Sequence, residues 1–133
     1  MSETLTAGLS ATHRVQVDRD RTISFMGDDC RVYSTPNLLY DIEMVCRDLL
    51  LQHIETGRDS VGTRVELDHV GATLMGMWVD VTVTLTQVNG GAVSFDFTAR
   101  DAVEEVARGK HNRFIVSIEK TAQRLKAKRD RAG

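Results

Sequence analysis

An α+β fold, with one long apolar helix wrapped by a curved antiparallel sheet, is what this sequence predicts. Three observations carry the expectation. Residues 36–54 repeat their apolar positions at helical spacing, whereas the chain after residue 63 changes to a period of two. The second half holds a strong hairpin signal, Asn89-Gly90-Gly91, between two alternating runs. The helix is also apolar over most of its circumference, so a sheet must wrap it rather than cover one side. At 133 residues the chain reads as a single domain, with a core from about 12 to 120 and a basic extension from 120 to 133.

Each element follows from local pattern. THRVQV (12–17) alternates Val15 and Val17 with polar neighbours, as a half-buried strand does. DRDR (18–21) is a turn. TISFMG (22–27) fits a short strand or an extended segment, and DDCRVY (28–33) fits either. Ser34 and Thr35 are good N-caps, Pro36 suits the first helical turn, and Glu55-Thr56-Gly57 is a stop. RVELDHV (64–70) puts Val65, Leu67 and His69 on one face, and Gly71 to Met77 form a loop. In the next two strands Val79, Val81, Val83 and Leu85, then Val93, Phe95 and Phe97, point inward. Residues 103–119 make a last strand, with a bulge or bend at Gly109 and with Phe114, Val116 and Ile118 alternating with Arg113, Ile115 and Ser117. Arg113 reads as outward. The tail is a short helix that frays, since no apolar anchor follows Leu125. The open sheet leaves edges, which predicts pairing with a second copy.

Composition excludes several classes of function. A net charge of −2, few aromatics and no basic stripe argue against nucleic acid. The N-terminal stretch lacks a signal-peptide pattern and no apolar run reaches the roughly 18 residues of a membrane span, so a cytoplasmic protein is expected. Cys30 and Cys46 are too few for a disulfide framework, and His13 and His111 stand without metal-ligand spacing. No metal is expected, and no standard phosphate loop or nucleophile elbow is present.

One acid interrupts the helix. Leu38, Leu39, Ile42, Val45, Cys46, Leu49 and Leu50 form a broad apolar face, and Tyr40, Met44 and Leu51 a smaller one. Asp41, Asp48 and Gln52 share the solvent sector, whereas Glu43 falls between the two apolar faces. A pair with Arg47, four residues on, is the plain structural explanation and contributes only tenths of a kcal/mol when exposed. Burial would cost more, so a functional carboxylate is the competing one. His69, on the apolar side of its strand, is either a satisfied core residue or a site residue. Thr35 is explained by capping and Gly62 by a turn.

The combination is more informative. Thr35, Glu43 eight residues on, and His69 a further twenty-six resemble the fluoroacetyl-CoA thioesterase family of hotdog-fold proteins. VGTRVELDHVGATLMGMWVDVTVTL (61–85) carries a similar Gly-Thr before the histidine strand, and RGKHNRFIVSIEK (108–120) resembles the closing strand, with a His and an Arg in matching places. The resemblance spans about residues 12–120. It implies a hotdog fold and a catalytic site lined by Thr35, Glu43 and His69. It places Gly62 and Arg113 near the bound thioester, with Tyr33, in the segment before the helix, among the substrate-binding residues. It further implies hydrolysis of a short, branched or substituted acyl-CoA in a homodimer whose site lies near the interface. Coenzyme A enters only as part of the substrate, with no separate cofactor. Glu43 would act as general base or nucleophile, Thr35 would orient water or acyl group, and His69 would donate a proton or hold the carbonyl. The alternatives are a non-catalytic acyl-CoA or small-ligand binding protein and a hydratase, against which the lack of a histidine at hydratase spacing from Asp41 speaks.

Overall fold

Ser34 sets the start of the long helix: its hydroxyl accepts from the Asn37 backbone, and Pro36 occupies the first turn without losing a hydrogen bond. The computed structural model describes residues 4–133. Its elements are β1 (Ser10–Gln16), α1 (Thr35–Leu51), β2 (Arg58–His69), β3 (Trp78–Asn89), β4 (Ala92–Arg100), β5 (Glu105–Ser117) and α2 (Ile118–Ala132). The five strands form one sheet in the order β1-β3-β4-β5-β2, antiparallel at every pairing. Helix α1 packs against β3 and against both edge strands, β1 and β2, which a flat sheet would not permit. This is the hotdog arrangement.

Leu38, Ile42, Val45, Cys46, Leu49 and Leu50 are buried against the inward rows of β3 and β4, where Val79, Val81, Val83, Leu85, Val93, Phe95 and Phe97 lie as their alternation predicts. Each fully buried large side chain contributes roughly 1.5–3 kcal/mol of transfer free energy. The helix ends at Leu51, three residues short of the expectation, because the Gln52 and His53 amides fold back onto Leu49 and Leu50 in a tightened last turn. Residues 22–33 form no strand of the sheet; they contribute a 3-10 turn at Asp28–Cys30 and two isolated bridges, Thr22 to Tyr33 and Val32 to Leu74.

Several expectations change. Strand β2 begins at Arg58, directly after Gly57, whose φ of 91° makes the turn. Its register with β5 shifts between Gly62 and Arg64, so the bulge falls at Thr63. Gly109 is no bulge: it pairs in register with Leu67 and Phe97. Glycine is needed there because a Cβ would lie 1.8 Å from the Glu66 carbonyl oxygen. Val65, Leu67 and His69 do share the concave face, opposite His111, Gly109 and Ala107, but β2 is an edge and Val65 stays 38% exposed. On β5 the inward residues are His111, Arg113 and Ile115, while Phe114 faces out beside Val61. Apolar residues on both faces of that strand hid its orientation. Asp41 is buried rather than in solvent, and Tyr40 and Leu51 are exposed. Helix α2 runs to Ala132: Ser117 caps it, Glu119 sits in its first turn, and Arg129 and Arg131 in its last complement the dipole. No described helix is long and apolar enough to cross a membrane.

The loop after His69 is tied down by Thr73, whose hydroxyl donates to the buried Asp101 carboxylate at 2.9 Å. The other carboxylate oxygen accepts from the Val103 and Glu104 amides, each at 2.9 Å. Burial alone would raise the Asp101 pKa, but these donors outweigh it and hold the group below its ordinary value. Its contribution is therefore present above the unfolded carboxylate range and lost as pH falls through the folded pKa. Asp101→Asn should lower stability at neutral pH by about 1 kcal/mol. The gap to wild type should close in acid, and chemical denaturation at a series of pH values checks this.

Candidate active site

The first cluster forms where α1 begins and β2 ends. Ser34, not Thr35, is the cap, since its hydroxyl also accepts from the Asn37 side chain at 2.6 Å. This leaves the Thr35 hydroxyl available, and it lies 2.7 Å from His69 Nδ1. Burial lowers the His69 pKa, with the Gly71 backbone offsetting part of the effect, so the ring is neutral at neutral pH. Its Nε2 is shut off from solvent and makes no hydrogen bond of good geometry. A crevice of about 210 Å³ opens here, lined by Val32, Tyr33, His69, Val70, Gly71 and Ala72. A neutral histidine in contact with a hydroxyl can take or return a proton. Ser34→Ala should cost about 1 kcal/mol of stability. Thr35→Val should leave the helix start intact, as denaturant melts of the two variants would show.

Tyr33 is 1% exposed and donates its hydroxyl to Asp41, which also accepts from Arg21 Nε at 2.8 Å. Burial, reinforced by Asp41, pushes the Tyr33 pKa up. Tyr33 lines the crevice, while its hydroxyl is committed to the fold.

The second cluster surrounds Glu43. The expected pair with Arg47 does not form: Arg47 makes a two-pronged bond to Asp59 on β2, at 2.9 and 2.7 Å. Glu43 instead sits beside β5, with Oε1 3.4 Å from Arg113 Nη1 and 3.4 Å from His111 Nε2. Arg113 is 4% exposed and faces inward, against the expectation. It is held by Ser60, through Nε to the hydroxyl at 2.7 Å and Nη2 to the carbonyl at 2.8 Å. Burial lowers its pKa and Glu43 pushes it back up; a guanidinium stays charged throughout. Gly62 makes room: a Cβ there would lie 2.4 Å from Glu43 Oε1. The carboxylate is therefore half-buried, approached by a fixed cation on one side and bare backbone on the other.

Thus Thr35 meets His69, and Glu43 meets Gly62 and Arg113. The two clusters lie eight residues apart on α1, about 12 Å along its axis. No hydrogen bond joins them among the described residues. Sequence reasoning missed Ser60, and it matched His111 to the family's closing strand without placing it in the site. Their signal was strand parity, since Ser60 and His111 share a face with Gly62 and Arg113 respectively. Among the described residues no group of three or more His, Cys, Asp or Glu is placed to hold a metal ion.

Comparison with known proteins follows the same lines. The family profile of FlK, fluoroacetyl-CoA-specific thioesterase, matches residues 17–119. A fluoroacetyl-CoA thioesterase from Streptantibioticus cattleyicolor is 27% identical over 135 residues, covering 96% of this chain and 97% of the relative. A structure of the fluoroacetyl-CoA thioesterase FlK superposes with a TM-score of 0.86 at 26% identity, covering 95% of this chain and 98% of that one. A variant of FlK in complex with acetyl-CoA gives a TM-score of 0.85 at 26% identity, with 93% and 98% covered. The chain belongs to the fluoroacetyl-CoA-specific thioesterase family.

Proposed function

We propose that this protein is an acyl-CoA thioesterase that hydrolyses a short, substituted acyl-CoA to the free acid and coenzyme A. The observation that carries the reading is Glu43, a carboxylate half-buried between Arg113 and the gap at Gly62. Thioester hydrolysis needs a group that attacks the carbonyl or activates water, donors for the developing oxyanion, and a proton for the departing thiolate. Glu43 supplies the first, as nucleophile or as base. In ¹⁸O-labelled water, label found in Glu43 marks the anhydride route, because water that attacks the anhydride at the Glu43 carbonyl leaves its oxygen there. Pro36 has no amide hydrogen and Ser34 takes that of Asn37, so at the start of α1 the Thr35 amide is the donor left for the oxyanion, and Thr35 with His69 supplies proton transfer. No cofactor beyond the substrate's coenzyme A is required.

The reading includes a homodimer. Edge strand β2 leaves Val61 exposed on the outer face, beside Phe114, and Val65 exposed on the concave face. Two such edges pairing antiparallel, centred near Val65 and Glu66, would bring His69 of one protomer beside the partner's Gly62. This arrangement would unite the two clusters that one protomer keeps apart. Mixed dimers of Glu43→Gln and His69→Ala should then regain activity, since one of their two sites is intact. Cytoplasmic action accords with the free thiols of Cys30 and Cys46.

The direct test is thiol release from a panel of acyl-CoAs, from acetyl and fluoroacetyl to branched, aryl and long-chain members. Turnover of one or more short members is expected. Saturable binding with no turnover on any member would make this a ligand-binding protein instead.

A further inference from the structure

The buried histidine beside the candidate carboxylate has a defined protonation pattern. His111 is 1% exposed, and its Nδ1 lies 2.9 Å from the Arg64 carbonyl oxygen, beside the β2 bulge. A carbonyl only accepts, so Nδ1 carries the proton. Burial lowers the His111 pKa and Arg113 lowers it further, against opposite pulls from Arg64 and Glu43, so the ring is neutral. Nε2 is then a lone pair. It accepts from Arg113 Nη1 at 3.2 Å, and its 3.4 Å approach to Glu43 Oε1 is an approach of two acceptors.

Arg113 Nη1 lies against both and has two hydrogens, one for each. The remaining contacts of the guanidinium go to Ser60, so its plane is fixed at three corners. We propose that His111 is a positioning residue: by engaging one Nη1 hydrogen of Arg113 it aims the other at Glu43 and so fixes the carboxylate for its work on the thioester. The proposal rests on the reading of Glu43 as the working carboxylate. Cys46 and Asp59 also influence Arg113 electrostatically, but neither hydrogen-bonds it. The orientation therefore depends on Ser60, His111 and Glu43.

Two substitutions separate this role from simple packing. In His111→Gln the amide oxygen can reach the Nε2 position and still accept from Arg113. In His111→Asn the amide reaches only the Nδ1 position, so the Arg64 contact survives and the Arg113 contact is lost. His111→Gln should keep most of the wild-type kcat, whereas His111→Asn should lose about 10- to 100-fold in kcat with KM little changed. Equal losses in both, or wild-type kcat in His111→Asn, would overturn the proposal. Nuclear magnetic resonance supplies a readout that needs no turnover. The ¹⁵N shifts of wild-type His111 should show the neutral Nδ1–H tautomer, and an Nε2–H tautomer would overturn the proposal. The ¹⁵N resonance of Arg113 Nη1, which lies 3.2 Å from His111 Nε2, should move in His111→Asn and hold in His111→Gln; no movement in either would also overturn it. If the wild type hydrolyses no acyl-CoA, the thioesterase reading fails while these spectra still decide the role of His111.

Discussion

Glu43→Gln is expected to lower acyl-CoA hydrolysis by about 10²- to 10⁴-fold, equivalent to about 3–5 kcal/mol of barrier, with the fold retained. The substituted amide fills the same volume, and its oxygen can still accept from Arg113 Nη1, which approaches Glu43 at 3.4 Å. It cannot attack a carbonyl, nor can it take a proton from water. The helix itself should not notice the change, because the stabilising pair at this level of α1 is Arg47 with Asp59. Thiol-release rates measured beside a thermal melt test both halves of the expectation. A variant as fast as wild type would remove Glu43 from the mechanism.

Gly62→Ala should cost about 10²-fold in rate while leaving the melting temperature unchanged or slightly higher. The new methyl group would lie 2.4 Å from Glu43 Oε1 and 3.1 Å from His111 Cε1. Of these, the carboxylate is the far end of a flexible side chain and gives way first. A displacement of about 1 Å at a reacting group is enough for a loss of that order. Gly62 is not among the glycines with positive φ, so alanine brings no backbone strain and restricts the unfolded chain, which favours folding. Gly109 offers the contrast. There the Cβ would meet the Glu66 backbone, which cannot move without breaking the ladder. A large fall in melting temperature for Gly62→Ala, with activity lost only in proportion to unfolded protein, would refute the account of Glu43 placement.

Local chemistry decided much of this protein in advance. The start of α1 was legible because capping and a first-turn proline act within a few residues. So were the β3–β4 hairpin and its inward rows, because alternation and the Asn89-Gly90-Gly91 turn are also local signals. Thr35, Glu43 and His69 stood out as polar groups at positions that pattern assigns to capping or burial. Their partners did not. An Arg four residues from Glu43 was the natural choice on the helix alone, yet Arg47 turned to Asp59, where two hydrogen bonds to a carboxylate were available across to β2. Asp41 sat in the apparent solvent sector until residues 21 and 33 folded over it. Arg113 faced inward because the register of β5 against β2 and β4 set its parity, and that register is chosen by the whole sheet. The sequence by itself determined which elements form and which acid is out of place. Only the tertiary structure decided what faces that acid, because hydrogen-bond partners of buried charges are selected by elements that meet from distant parts of the chain.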